Sequence, residues 1–170
     1  LIDSDTDPHI TECEAGDHPP ASFTSPRAVV TDTYGNIFVS SYGTFQEEGK
    51  TGRIDIFDSD GFFISELKVP GPVQIAVDSK GILYVLERPA DFMRLSRYTP
   101  TVYKPEEGEI QYTPSPTVID ETFIVSFAAI AVNPANDHLF VHNGPLLITE
   151  LSAAPDNEVV TETIRADVLK

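Results

Sequence analysis

The chain of 170 residues is 41% hydrophobic and 22% charged, with 14 Pro, 10 Gly, one Cys and no Trp. Acids outnumber bases by 27 to 11, a formal charge of −16, which sets it against phosphate backbones and anionic membranes. The apolar fraction suffices for a packed core of ordinary domain size, while the lone Cys13 excludes a disulfide scaffold.

Residues 1–20 carry six acids and no base, residues 21–100 ten acids and eight bases, and residues 101–170 eleven acids and three bases. Both ends are therefore acidic around a nearly balanced middle, as in a solvated surface that favours solubility. The first residues, Leu1-Ile2-Asp3, show no basic or apolar leader. A start without Met points to a chain that is processed or cut from something longer. The longest apolar stretch, Phe123 to Val132, is about half of what a bilayer requires, so no membrane insertion is expected. Few Lys and Arg, many Pro and scarce Cys resemble the composition of secreted proteins, and an extracellular location is expected. Cys13, between Glu12 and Glu14, sits where its thiolate is disfavoured, which makes it an idle thiol rather than a nucleophile.

Residues 1–25 lack periodicity and read as an acidic N-terminal arm. Beyond them the chain repeats. Val29-Val30-Thr31-Asp32-Thr33-Tyr34-Gly35-Asn36-Ile37-Phe38-Val39 aligns without a gap on Ile75-Ala76-Val77-Asp78-Ser79-Lys80-Gly81-Ile82-Leu83-Tyr84-Val85, and a third copy runs from Ile130 to Val141 with one inserted residue. Each copy is a short apolar run, an Asp or Asn, a tight turn, and a β-rich run ending in an aromatic-Val pair. That pattern predicts two strands joined by a turn. Asp32, Asp78 and Asn133 are expected to accept hydrogen bonds from the turn N–H groups, with Gly35 and Gly81 supplying positive φ. The apolar runs are continuous, which predicts strands buried on both faces between neighbouring sheets. A second hairpin follows in the first copy, Gly52–Phe57 and Phe62–Leu67 around Asp58-Ser59-Asp60-Gly61. The second copy continues with Arg94–Tyr98 and a long Pro-containing excursion, and the third with Leu146–Leu151 and Glu158–Ile164. A repeat of two hairpins and 46 to 55 residues is the size of one four-stranded propeller blade.

These residues resemble the NHL-repeat β-propellers. The resemblance rests on Pro26-Arg27-Ala28-Val29, on Asp32…Gly35-Asn36-Ile37-Phe38-Val39, on Gly52 through Gly61, and on the recurring opening Pro72-Val73-Gln74-Ile75-Ala76-Val77-Asp78. It implies an all-β, propeller-like array of four-stranded antiparallel blades. About three blades are expected, at residues 26–69, 70–122 and 123–170, against the usual six of a closed ring. An incomplete ring leaves apolar end faces, to be covered by a protein partner, by further blades or by further copies of the chain.

Catalytic chemistry finds little support. His138 and His142 lie about 13 Å apart along a strand, too far to share a zinc ion, and His9 and His18 lack ligands at useful spacing. Asp55, Asp58 and Asp60 precede Gly61 as in a calcium loop, yet Leu67 stands where the bidentate Glu belongs. Glu47-Glu48 and Glu106-Glu107 fall in predicted loops that offer no desolvation. No metal, no cofactor and no catalytic residue is expected. One set of polar positions recurs after the second strand of each copy: Ser41, Glu87 and Asn143. Such strand ends gather at one rim of a propeller and are candidates for a binding mouth, unless each caps its own turn. The expected function is a non-catalytic extracellular binding or structural module. The competing classes are a metal-dependent lyase or lactonase-like hydrolase of the six-bladed type, which the resemblance implies, and a subunit of an extracellular assembly joined through the acidic arm and the Pro-rich insert.

Overall fold

The computed structural model describes residues 23, 25–43, 52–123, 129–142 and 147–165. It is an all-β array of antiparallel sheets, each four-stranded sheet a propeller-like blade built as a meander. The first is β1 (Pro26–Thr31), β2 (Ile37–Ser41), β3 (Gly52–Phe57) and β4 (Phe63–Val69), paired in that order. The second runs β5 (Pro72–Val77), β6 (Leu83–Glu87), β7 (Met93–Tyr98) and, after an excursion, β10 (Thr117–Phe123). The excursion folds as its own two-stranded hairpin, β8 (Pro100–Lys104) and β9 (Glu109–Tyr112), around a single 3-10 turn at Pro105–Glu107. The third sheet is β11 (Ala129–Val132), β12 (Leu139–His142), β13 (Leu147–Leu151) and β14 (Val159–Arg165). No helix among the described residues is long and apolar enough to cross a membrane.

The first hairpin of each sheet shows how the repeat folds. Pairing Val29 with Val39, Ile75 with Val85, and Ile130 with Val141 puts the three copies in one register. The turn chemistry is local: Asp32 Oδ1 accepts from the N–H of Tyr34 and Asn36, both at 2.9 Å. Asp78 Oδ1 does the same for Lys80 and Ile82 at 2.9 and 2.8 Å, and Asn133 Oδ1 for Ala135 at 3.0 Å. The positive φ falls on Gly35 (86°) and Gly81 (74°) in the first two copies and on Asp137 (59°) in the third.

Period-two alternation then assigns each strand two faces. Phe38, Ile54, Ile56 and Leu67 of the first sheet cluster with Ile75, Leu83, Val85 and Tyr98 of the second. Ala76, Tyr84, Leu86 and Leu95, on the second sheet's other face, cluster with Ile130, Leu139, Val141 and Leu151 of the third. The second sheet is thus apolar on both sides because it is covered on both. Burying a residue such as Leu83 or Leu86 completely contributes about 1.5–3 kcal/mol.

The aromatic-Val pairs report the same layering. Phe38 and Tyr84 are fully buried, but Phe140 at the equivalent position is only half-buried, against the expectation from the repeat. The reason is position: Phe140 faces away from the second sheet, with exposed Ala129 and Ala131 beside it, and no described residue packs there as a fourth layer. Val29, on the first sheet's outward face, is 64% exposed for the same reason.

Candidate functional site

Ser41 and Glu87 stand at the same position of consecutive sheets, each ending its second strand opposite the first residue of the sheet, Pro26 and Pro72 respectively. Asn143 lies outside the described residues, as do Cys13, His9, His18, Glu47 and Glu48. The two described members differ in surroundings. The Glu87 side chain is fully buried on the face that the second sheet turns toward the first. Its Oε1 accepts from Arg94 Nε at 2.6 Å and from Ser96 Oγ at 2.5 Å, and its Oε2 from the Tyr98 hydroxyl at 2.9 Å. All three donors come from one face of β7, residues 94, 96 and 98, which the hairpin register lays beside Glu87. Burial, and then the Glu87 charge, push the Tyr98 phenol far above its ordinary range, so it acts as a donor at all ordinary pH. A carboxylate so enclosed and so fully hydrogen-bonded is an anchor between strands, without reach to a substrate.

Ser41 is equally buried, and its Oγ has no hydrogen-bond partner among the described residues. Its neighbours explain the contrast. In the first sheet the carboxylate sits one strand over: Asp55, fully buried, pairs with Arg53 Nε at 3.0 Å. Arg53 aligns with Arg94 through its pairing with Ser41, and Asp55 aligns with Ser96. The two sheets therefore carry the same Arg–carboxylate pair with acid and hydroxyl exchanged between neighbouring strands. Burial raises the Asp55 carboxyl pKa while Arg53 pulls it down.

The remaining chemical candidates are placed as follows. Asp58 Oδ1 accepts from the N–H of Asp60 and Phe62 in the β3–β4 turn, a hydrogen-bonded turn of the Asx kind, while Asp55 lies in the adjoining strand with its side chain enclosed. Glu107, in the 3-10 turn, is bonded to Lys104 at 3.2 Å in an exposed pair. His138 Nδ1 lies 2.7 Å from Glu150 Oε1. Among the described residues no group of three or more His, Cys, Asp or Glu side chains is arranged to hold a metal ion.

Two features of the junctions between sheets had no clear signal in the sequence. The β8–β9 hairpin closes the outer gap between the first and second sheets. Ile110 is fully buried in their shared core, Ser65 Oγ donates to the Ile110 carbonyl at 2.6 Å, and the Tyr112 hydroxyl donates to the Gly81 carbonyl at 2.5 Å. The Tyr103 hydroxyl reaches Asp32 Oδ2 at 3.1 Å. The gap between the second and third sheets has no such filler among the described residues and holds a cleft of about 330 Å³, lined by Leu95, Ile119, Asp120, Val141, Thr149 and Leu151 among others.

No family model matches the chain, and no curated protein matches it. Among solved structures, it is similar to a structural-genomics protein from Lactobacillus plantarum at 15% identity and a TM-score of 0.42. That match covers 77% of this chain and 37% of the other, so the chain spans little more than a third of the length of the structure it resembles.

Proposed function

We propose that the chain is a non-catalytic extracellular module of NHL-like blades that binds protein through its end sheets. The observation that carries this reading is the contrast between equivalent aromatics: Phe38 and Tyr84 are sealed between sheets, whereas Phe140 is partly open on the last one. Exposed Ala129 and Ala131 and half-buried Ile148 share the outward face of Phe140, and 64%-exposed Val29 marks the opposite end. Glu150 and His142 stand opposite Phe140 and Ile148 on the last sheet's outward face, so it mixes apolar and polar groups, as the surfaces of non-obligate protein interfaces do. The enclosed state of Glu87 and Asp55 supports a structural role for the best-placed carboxylates.

Sedimentation velocity across a wide dilution range, read together with fluorescence of a dye that binds apolar surface, tests this. The expected result is concentration-dependent association that Phe140→Asp abolishes while raising dye binding. A strict monomer that binds no dye at any concentration would overturn it.

A further inference from the structure

The first two sheets each hold an arginine and a carboxylate beside the end of the second strand, and the registers allow the two clusters to be compared atom by atom. Ser41 stands opposite Arg53 as Glu87 stands opposite Arg94, and Asp55 follows Arg53 as Ser96 follows Arg94. Phe57, opposite Ile37, holds the place of Tyr98, opposite Leu83. In the second sheet the diagonal pair closes on itself. Ser96 Oγ donates to Glu87 Oε1 at 2.5 Å, and Arg94 and the Tyr98 hydroxyl are the other donors to that carboxylate.

In the first sheet the same diagonal joins Ser41 to Asp55 and does not close. Exchanging Glu and Ser for Ser and Asp takes one methylene out of the path between the strands, about 1.5 Å of bond length, and Phe57 brings no hydroxyl. Arg53 Nε donates to Asp55 Oδ2 at 3.0 Å. Oδ1 lies equally near that nitrogen, but off the line of its hydrogen, and accepts no hydrogen bond; Ser41 Oγ makes none either. Asp55 is 0% and Ser41 3% exposed, so bulk solvent does not reach them. Folded chains leave very few buried polar atoms without a partner. Here a hydroxyl donor and a carboxylate acceptor share one diagonal, too far apart to bond each other and both enclosed.

The chemistry that such a pair accepts is narrow. The ligand must be small, must accept from a hydroxyl and must donate to a carboxylate. The Arg53 guanidinium, 3.0 Å from Asp55, already balances the charge of that carboxylate and repels a cation, while Asp55 itself repels an anion. A neutral hydroxylic molecule fits both groups, and water is the smallest. Internal waters ordinarily make about three hydrogen bonds to buried polar groups of this kind.

We propose that Ser41 and Asp55 form a binding site for a single internal water molecule, which accepts from the Ser41 hydroxyl and donates to Asp55 Oδ1. The water does in the first sheet what the longer Glu87 side chain and the Tyr98 hydroxyl do in the second. The site lies among enclosed side chains and is independent of what binds the end sheets.

A high-resolution crystal structure of the intact chain tests this directly. It is expected to show one density peak within about 3 Å of both Ser41 Oγ and Asp55 Oδ1. Magnetic relaxation dispersion of the water oxygen, which counts long-lived internal waters, is the companion measurement in solution. The exchanged variant Ser41→Glu with Asp55→Ser gives the first sheet the direct bond of the second, and should lose one long-lived water relative to the parent. If that variant does not fold, Ser41→Val, which removes the hydroxyl and adds bulk, should lose the same one, and the parent crystal structure decides in either case. Several results would each overturn the site: no peak between the two oxygens, Ser41 Oγ bonded to a protein atom instead, or equal dispersion in parent and variant. So would a peak ringed by six or more oxygens at about 2.3–2.6 Å, the signature of a cation.

Discussion

Replacing Glu87 by Ala removes the acceptor of three hydrogen bonds at once, and the structure sets the size of the effect. Net contributions of hydrogen bonds to charged groups are about 1.5–3 kcal/mol each, but the three do not simply add. Arg94 retains 20% side-chain exposure and partly regains water when its partner goes. Ser96 and Tyr98 are 0% and 1% exposed and do not, so two buried hydroxyls are stranded at about 1–3 kcal/mol apiece. Removing one partner of a buried ion pair generally destabilises by about 3–5 kcal/mol, and the same range is expected here. Glu87→Gln is the informative companion. It keeps the volume and one carbonyl acceptor, and its amide N–H can donate to the Tyr98 oxygen, so the loss should be about 1–2 kcal/mol, the charge term with Arg94. Urea unfolding followed by circular dichroism gives both values from shifts in midpoint at unchanged slope. A Glu87→Ala variant within about 1 kcal/mol of the parent, or a Gln variant as damaged as the Ala, would refute the anchoring role.

The remaining predictions concern the turns and the tyrosines. At Gly81 (φ 74°) an added Cβ lies 2.3 Å from the Tyr103 ring, whereas at Gly61 (φ 89°) it meets nothing within 4 Å. Gly81→Ala should therefore destabilise by about 2–4 kcal/mol and Gly61→Ala by only about 1 kcal/mol, the backbone term alone; equal losses in the same urea assay would show that the hairpin does not press on the turn. For pH, burial raises the phenols of Tyr98, Tyr103 and Tyr112 above their ordinary value. The unfolded chain releases these protons near pH 10 while the folded chain keeps them, so the contribution is complete below that pH and is lost above it. The expected slope is about 1.4 kcal/mol per pH unit for each such tyrosine. A thermal midpoint level to about pH 9.5 and falling beyond is the expected outcome, and tyrosine ionisation at ordinary pH in the folded protein, read by ultraviolet absorbance, would contradict it.

Much of the fold was legible because its strongest signals are local. The Asp-x-x-Gly turns carry their own acceptor and their own positive φ, and the apolar runs on both sides read as strands covered on two faces. The β8–β9 hairpin was not legible. Thr101–Lys104 and Glu109–Tyr112 are short, stand among Pro100, Pro105 and Pro114, and are separated by the acidic Glu106-Glu107, so the whole segment reads as a loop. Only the tertiary contact that buries Ile110 gives them a purpose. The position of Glu87 was legible and its role was not. The partners Arg94, Ser96 and Tyr98 sit at period two on the following strand, a signal that appears only once hairpin register places that strand beside Glu87. Phe140 shows the converse limit. Its repeat position predicts burial, yet burial belongs to the layer outside it and not to the residue.

The exchanged ion pairs show how far the repeat extends into the outward face of the first sheet. In the second sheet the Arg94–Glu87 pair lies on the face covered by the first sheet, where enclosure strengthens the attraction and excludes water. The Arg53–Asp55 pair occupies the corresponding face of the first sheet, which points away from the second. There it is built to the same pattern, with Asp55 fully enclosed and its carboxyl pushed up by burial. A sheet edge made only to meet water gains nothing from such a pair, since exposed charges are stable singly and their pairing contributes about 0–1 kcal/mol. Asp55 is enclosed within the chain itself, and the Arg53 guanidinium beside it offsets the cost of that desolvation. Val29 and Val39 lie side by side on the same face as Asp55, together with Arg53, Glu66 and Lys68, so the face mixes apolar and charged groups. Ser41, Arg53 and Asp55 on the first sheet thus repeat, with acid and hydroxyl exchanged, the pattern that Glu87, Arg94 and Ser96 make on the second, so the repeat extends from the strand register to the buried polar groups as well as the apolar core.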